Sequence, residues 1–421
     1  MTSPNSQFMY EHEITYLRSP TAIRHQCKQI FQLAEANELE YFEYDESQLS
    51  KVVSYVIEEI NRNYPNLDIP YHGRLRHFEV GSIDRMKILK DRYGPINSKD
   101  FGKMLFELVV VSVLLDAGAG SQWKYHVVEG KNNVCYSRSE GLAIASFEMF
   151  ITGAFSSDPL HPMKVNAKKL MSLSKAELVK GFQVNERNPL VGIDGRLQIL
   201  RNLGQLLLEK YPDQEDEDVC LGLVYENIYE KVTCEKKSLE IKEIFEFFVC
   251  EFNNIWPQGL RIGSTNLGDV GKHKKVQDHH GLGQGYVPFH KLTQWLTYSV
   301  METFEKAGIR IVNIDELTGL PEYRNGGLFI DLELLKVKDK GNLKISHEPS
   351  SELIVEWRAL TLSILDVVAD QVRSELSFNK EELPLAKILQ GGTWSAGRRI
   401  ASTLRENLSS PILIKSHGTI F

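Results

Sequence analysis

Two stretches of this 421-residue chain are apolar on nearly every side when wound as helices: FGKMLFELVVVSVLLDAGAG at 101–120 and SELIVEWRALTLSILDVVADQVRSEL at 351–376. A helix with a single apolar stripe rests on one neighbour, whereas a helix apolar all round has to be enclosed. Both segments therefore demand several helical layers around them. Neither reads as a membrane span: Glu107 and Asp116 interrupt the first, and no apolar run reaches the roughly 18 residues that a span needs.

Around these two segments the pattern stays helical. Apolar residues recur at helical spacing in 21–39 and 46–64, and Pro65 and Pro70 mark a loop after them. Gly118 and Gly120 supply a stop for the 101–120 helix, and a further helix opens at Ser139 and runs to 155. A more polar, amphipathic region covers about 160–255, with DQEDED at 213–218 as its exposed loop. The Gly-rich 259–290 segment lacks a period and reads as a functional loop or short hairpins. Helices follow at 291–308 and 393–407, with a strand at IRIVNI and a strand or turn at PILIKSHGTIF. The fold class is mainly α with small β elements. A tail over 1–16 precedes one catalytic domain over 17–421, or two intimately packed helical lobes.

Composition excludes several classes. A net charge of −7 opposes general nucleic-acid binding, which needs a basic face for phosphates. Cys27, Cys135, Cys220, Cys234 and Cys250 show neither CxxC spacing nor a disulfide framework, which fits reduced thiols. No basic stretch followed by an apolar core appears at the N-terminus, so a cytoplasmic location is expected, with no membrane partner. His273, His279, His280 and His290 lie close in sequence but without tight ligand spacing; no metal and no cofactor is expected.

What remains for chemistry is carboxylates and arginines set in apolar surroundings. A lone buried carboxylate is costly, so such groups are either paired or tuned. Asp116 closes the 101–120 helix, and Glu356 and Arg358 sit inside the second apolar helix. Arg138 and Glu140 fall at a helix start, where Glu140 also complements the dipole. RLRHFEVGSIDR at 74–85 concentrates charge and reads equally as an exposed loop or as a site. Gly391, Gly392 and Thr393 stand before a helix that carries Arg398, an arrangement able to cradle a phosphate with free N–H groups. In LTGLPEYRNGGLFID at 317–331, Glu322, Tyr323 and Arg324 sit beside an Asn-Gly-Gly turn, either a local brace or a site. Carboxylates and arginines of this kind suit hydrolysis of a glycosidic bond, whose transition state resembles an oxocarbenium ion.

RHFEVGSIDR, VVSVLLDAGAG, RSEGLAIASFEMF, GAFSSDP, NPLVGIDGR, VPFHKLTQWLTYS, LTGLPEYRNGGL, SELIVEWRAL and GGTWSAGRRIA together resemble the Urc-type uracil-catabolism family of fungi and bacteria, from about residue 17 onward. That resemblance implies a role in a pyrimidine route through ribosylurea-type intermediates. VVSVLLDAGAG, SEGLAIASF, FHKLTQWLTYS and LTGLPEYRNGG also run in the same order as segments of the queuosine-salvage nucleosidases, which are similar in fold to helix-hairpin-helix DNA glycosylases. The second resemblance places Asp116 on a family Asp, and Glu322-Tyr323-Arg324 on a family Asp-Tyr-Arg triplet. Glu322 departs from that pattern, and no aromatic residues for a large base match near Ala117–Gly120; a smaller leaving group suits that loss.

The two resemblances together imply an N-ribosyl hydrolase acting on a ribosylated ureide or a nucleotide-derived substrate, releasing urea. In that reading Glu322 activates water or stabilises the oxocarbenium ion, Asp116 binds sugar hydroxyls, and Arg324 orients Glu322. Tyr323 walls the site, Glu140 or Glu356 is the acid, and Arg398 with the 391–393 backbone holds a 5′-phosphate. Arg138 and Arg358 support binding. The alternatives are a non-catalytic binding or assembly subunit, and a ring-opening hydrolase with a metal in the 269–290 loop.

Overall fold

The computed structural model describes residues 4–235, 238–256, 259–406 and 408–415. Helices dominate, and every sheet among the described residues is a two-stranded pair. The chain is mainly α with small β elements, and each long apolar segment forms the axis of its own group of elements. The described residues fall into two compact units: one within Met1–His72, Gln258–Gln294 and Asn313–Lys415, the other within Gly73–Pro257 and Trp295–Val312.

The first unit is organised by the helix Glu352–Leu376, buried from Leu353 to Leu362 on all sides and ended by Ser377 in a left-handed conformation. The helices Pro20–Glu35, Leu49–Asn63 and Tyr323–Asp331 pack on it. Pro20–Glu35 starts with Ser19 as N-cap, whose hydroxyl accepts the Ala22 N–H, and with proline in the first turn. Arg24 on this helix pairs with Asp366 and donates to the carbonyls of Glu316 and Leu317, fastening the 314–317 turn. The 259–290 segment forms two hairpins, Arg261–Ile262 with Thr265–Asn266 and Val270–Lys272 with Tyr286–Pro288, as the Gly-rich pattern allowed.

The second unit is built on the helix Ser98–Leu114, capped by Asn97, whose side chain accepts the Asp100 N–H. The helix expected to run to 120 stops at Leu114, and Asp116 lies just past its end. Helices Arg138–Ile151, Ile193–Lys210 and Gly222–Glu235 surround it. Gly102 allows a close approach: a Cβ there would stand 2.6 Å from the Thr303 carbonyl oxygen. Glu107, inside this core, accepts the Val165 N–H, and burial pushes its pKa up to about 8. The acidic 213–218 segment is exposed, as its charge requires.

Two local expectations are corrected. The Asn-Gly-Gly turn is no turn: residues Tyr323–Asp331 are helical, and the glycines serve helix contact. A Cβ on Gly326 would sit 2.7 Å from Thr361 Oγ1, and one on Gly397 2.1 Å from the Arg324 carbonyl oxygen. Likewise Gly391-Gly392-Thr393 are not a free entry to the helix that follows them. They form a π-helical stretch, Leu389–Thr393, joining Leu385–Ile388 to Trp394–Leu404 without a break. Gly392 is needed there because a Cβ would stand 2.7 Å from Val56. The strand expected in 411–421 is present at Leu413–Ile414, and positions 416–421 lie outside the described residues. Among the described residues, no helix is long and apolar enough to cross a membrane.

Candidate functional site

Asp116 owes its position to Arg74. The guanidinium, wholly buried, donates from Nη1 to Asp116 Oδ2 at 2.8 Å and to the Ser139 carbonyl at 3.2 Å. Its Nε donates to Ser112 Oγ at 2.7 Å and its Nη2 to the Ser112 carbonyl. Burial pushes the Arg74 pKa down, and the charges of Asp116 and Glu140 oppose that shift. A second buried guanidinium, Arg196, donates to the carbonyls of Leu115, Ala117 and Gly118 and fixes the chain on both sides of Asp116. Burial lowers its pKa to about 10, again against the pull of Asp116.

Arg138 and Glu140 belong to the same region of this unit. Glu140 lies in the first turn of the helix Arg138–Ile151, as its place after Ser139 implied. Arg138 has φ +53°, a left-handed conformation that costs an L-residue roughly 1–2 kcal/mol. The chain tolerates it because the next turn is wedged: a Cβ on Gly141 would lie 2.9 Å from both Trp123 and the Tyr136 carbonyl. Strain of this kind collects at functional positions. The 74–85 cluster is divided: Arg74 and Arg85 are fully buried and Leu75–Phe78 is helical, while residues 79–84 form a loop with Glu79, Gly81, Ser82 and Asp84 exposed.

Glu322, in the first unit, is the N-cap of the helix Tyr323–Asp331. Its Oε2 accepts the Arg324 N–H at 2.9 Å and its Oε1 the Asn325 N–H at 2.7 Å. A carboxylate has about four acceptor positions, so each oxygen keeps one for another donor. Burial pushes the Glu322 pKa up, while those two N–H groups, then Lys291 and Arg324, hold it down. Arg324 thus acts on Glu322 first through its main-chain N–H. Its guanidinium lies 4.8 Å over the half-exposed Tyr323 ring and donates to the Leu408 carbonyl. Asn325 is buried, donating to the Leu320 carbonyl and accepting from Thr393 Oγ1 at 2.9 Å, so Thr393 braces this helix.

Glu356 and Arg358 are occupied by loop-holding. Glu356 accepts from the N–H groups of Glu40 and Tyr41 and lies 3.2 Å from His273 Nε2. Arg358 makes a bidentate pair with Asp269 at 2.8 and 2.7 Å and stacks 3.9 Å over Phe289, clamping the 269–290 hairpin. Asp269 is held down to about 2, from 3.8, by Arg358 and by the Lys291 N–H, against its burial. A depressed carboxylate contributes stability above its unfolded pKa and loses it as pH falls through the folded one. Unfolding titrations between pH 4 and pH 2 should therefore show a loss of roughly 2 kcal/mol from this group. Asp269→Asn should flatten that part of the curve.

The histidines gathered at 273–290 are mostly engaged. His273 meets Glu356, His290 Nε2 meets the Leu17 carbonyl, and His279 lies 4.0 Å from the His25 ring and 4.4 Å from that of His280. Gly392 is packed against the helix Leu49–Asn63 in place of offering a free N–H. Arg398 is exposed and lies 5.8 Å over Trp394. Arg196, whose donors reach main-chain oxygens, carries no signal in the sequence, and Arg74 is one of six ionisable residues in a segment that reads equally as loop or site.

The fold and these fixed carboxylates define a helical protein whose ionisable groups are set by main-chain and guanidinium donors. Residues 16–421 match the family described as protein of unknown function (DUF1688), and the chain belongs to it. It is 39% identical to Protein urg3 of Schizosaccharomyces pombe, with 98% of this chain and 100% of that protein covered. It is 35% identical to Uracil catabolism protein 4 of Lachancea kluyveri, with 98% and 99% covered. The Urc-type family resemblance read from the motifs is thereby borne out.

Proposed function

We propose that the chain takes part in uracil catabolism as a hydrolase of an N-ribosidic bond, cleaving ribosylurea or its 5′-phosphate to urea and the sugar. The pathway assignment rests on the relative named for uracil catabolism, identical at 35% of positions over nearly both full lengths. The observation that carries the chemistry is Glu322, a carboxylate fixed by two main-chain N–H groups with an acceptor position left on each oxygen. Such a group needs no reorganisation to face a developing positive charge or to accept from a water or a sugar hydroxyl. Glu356, with its partners already in place, is a poor candidate for the acid.

The test is direct. Purified protein incubated with ribosylurea or its 5′-phosphate should release urea, detected by a coupled enzymatic assay. Folded protein that releases none from either compound removes the hydrolase reading. Retained ligand binding without turnover would then favour a binding subunit.

A further inference from the structure

A cavity of about 520 Å³ opens in the first unit, lined by Arg62, Tyr64, Trp394, Ser395, Arg398 and Arg399 among others. Neither Glu322 nor Tyr323 lines it. Its volume falls in the range of small-molecule sites. Its charge runs against that of the chain, which is −7 overall. Three guanidiniums face one lining carboxylate, Glu59, and Glu58 reaches Arg399 with a hydrogen bond of 2.8 Å.

Arg399 is thereby largely spent. Its Nε lies 2.8 Å from Glu59 Oε2, its plane lies 4.0 Å over the Tyr55 ring, and its buried Nη2 makes no hydrogen bond. Arg62 and Arg398 are exposed at the same cavity and add two further positive charges to its lining. Guanidiniums in such a setting select phosphate oxygens, because their N–H fork matches them. The hydroxyls of Ser395 and Ser402 donate to the Gln390 and Arg399 carbonyls, which leaves the phosphate to the guanidiniums, and Trp394 and Tyr64 offer flat apolar faces.

We propose that this cavity binds a nucleoside monophosphate, with Arg62 and Arg398 on the phosphate and Trp394 against the base. The proposal goes beyond the hydrolase reading and does not require turnover. Calorimetric titration of the full chain with UMP and AMP, uridine, ribose 5-phosphate and inorganic phosphate tests it. At least one of the two nucleotides should bind more tightly than uridine and more tightly than ribose 5-phosphate. Arg62→Gln and Arg398→Gln should each weaken that binding by about tenfold or more, the loss of a charged hydrogen bond. Trp394→Leu should weaken the nucleotide and leave ribose 5-phosphate unchanged.

Nucleotides that bind no better than uridine would overturn the phosphate assignment. Ribose 5-phosphate binding as tightly as the nucleotides would overturn the base contact. Full affinity in the Arg62→Gln/Arg398→Gln double variant would overturn the location. Both arginines are exposed, so their variants should keep the wild-type melting temperature. A negative urea assay would leave these binding results standing.

Discussion

Asp116→Ala should destabilise the second unit by about 3–5 kcal/mol, the scale found when one partner of a buried ion pair is removed. The reason lies in the partner: Arg74 is wholly buried, with Asp116 as its carboxylate at 2.8 Å. Without it, the buried guanidinium keeps hydroxyl, imidazole and carbonyl partners and has only the charge of Glu140 to offset its own. Chemical denaturation followed by fluorescence and circular dichroism reads the effect as a lower midpoint. The double variant Asp116→Leu/Arg74→Met should recover much of the loss, because it removes both charges together. A small effect of Asp116→Ala alone would show that water reaches Arg74 and would weaken the case for a fixed carboxylate.

Glu322→Ser separates a brace from a site. Serine is a preferred N-cap, and glutamate is not among the preferred types, so the substitution should leave the melting temperature nearly unchanged. If Glu322 serves only to cap the helix Tyr323–Asp331, the variant stays active. If its carboxylate works on the substrate, urea release should fall by about a thousandfold or more, the scale of a lost charge-stabilising group. Activity kept by a folded Glu322→Ser variant would return Glu322 to a purely structural role.

The large apolar helices were legible because burial on all sides follows from composition at helical spacing: Glu352–Leu376 is where that pattern placed it, and Ser98–Leu114 is present but ends six residues early. Local signals failed where one residue type has two uses. Gly391-Gly392 reads as a helix start and Gly326-Gly327 as a turn, yet all four lie within helical segments where neighbours leave no room for a Cβ or little of it. Arg74 was hidden for a different reason: its partner Asp116 is 42 positions away, and charge pairing over that span has no sequence period. The carboxylate at 322 was visible, but its capping role was not, because glutamate is seldom read as an N-cap.

The glycines between the helices Tyr323–Asp331 and Trp394–Leu404 set a depth. With a Cβ at 397 destined to stand 2.1 Å from the Arg324 carbonyl oxygen, the two backbones are as near as atoms allow. The carboxylate of Glu322 is bonded to the first N–H groups of one of these helices, so its height above the other is fixed by atoms that are absent. A single added methyl group would act as a shim, raising the whole helix end and the carboxylate with it, although no functional residue is itself replaced.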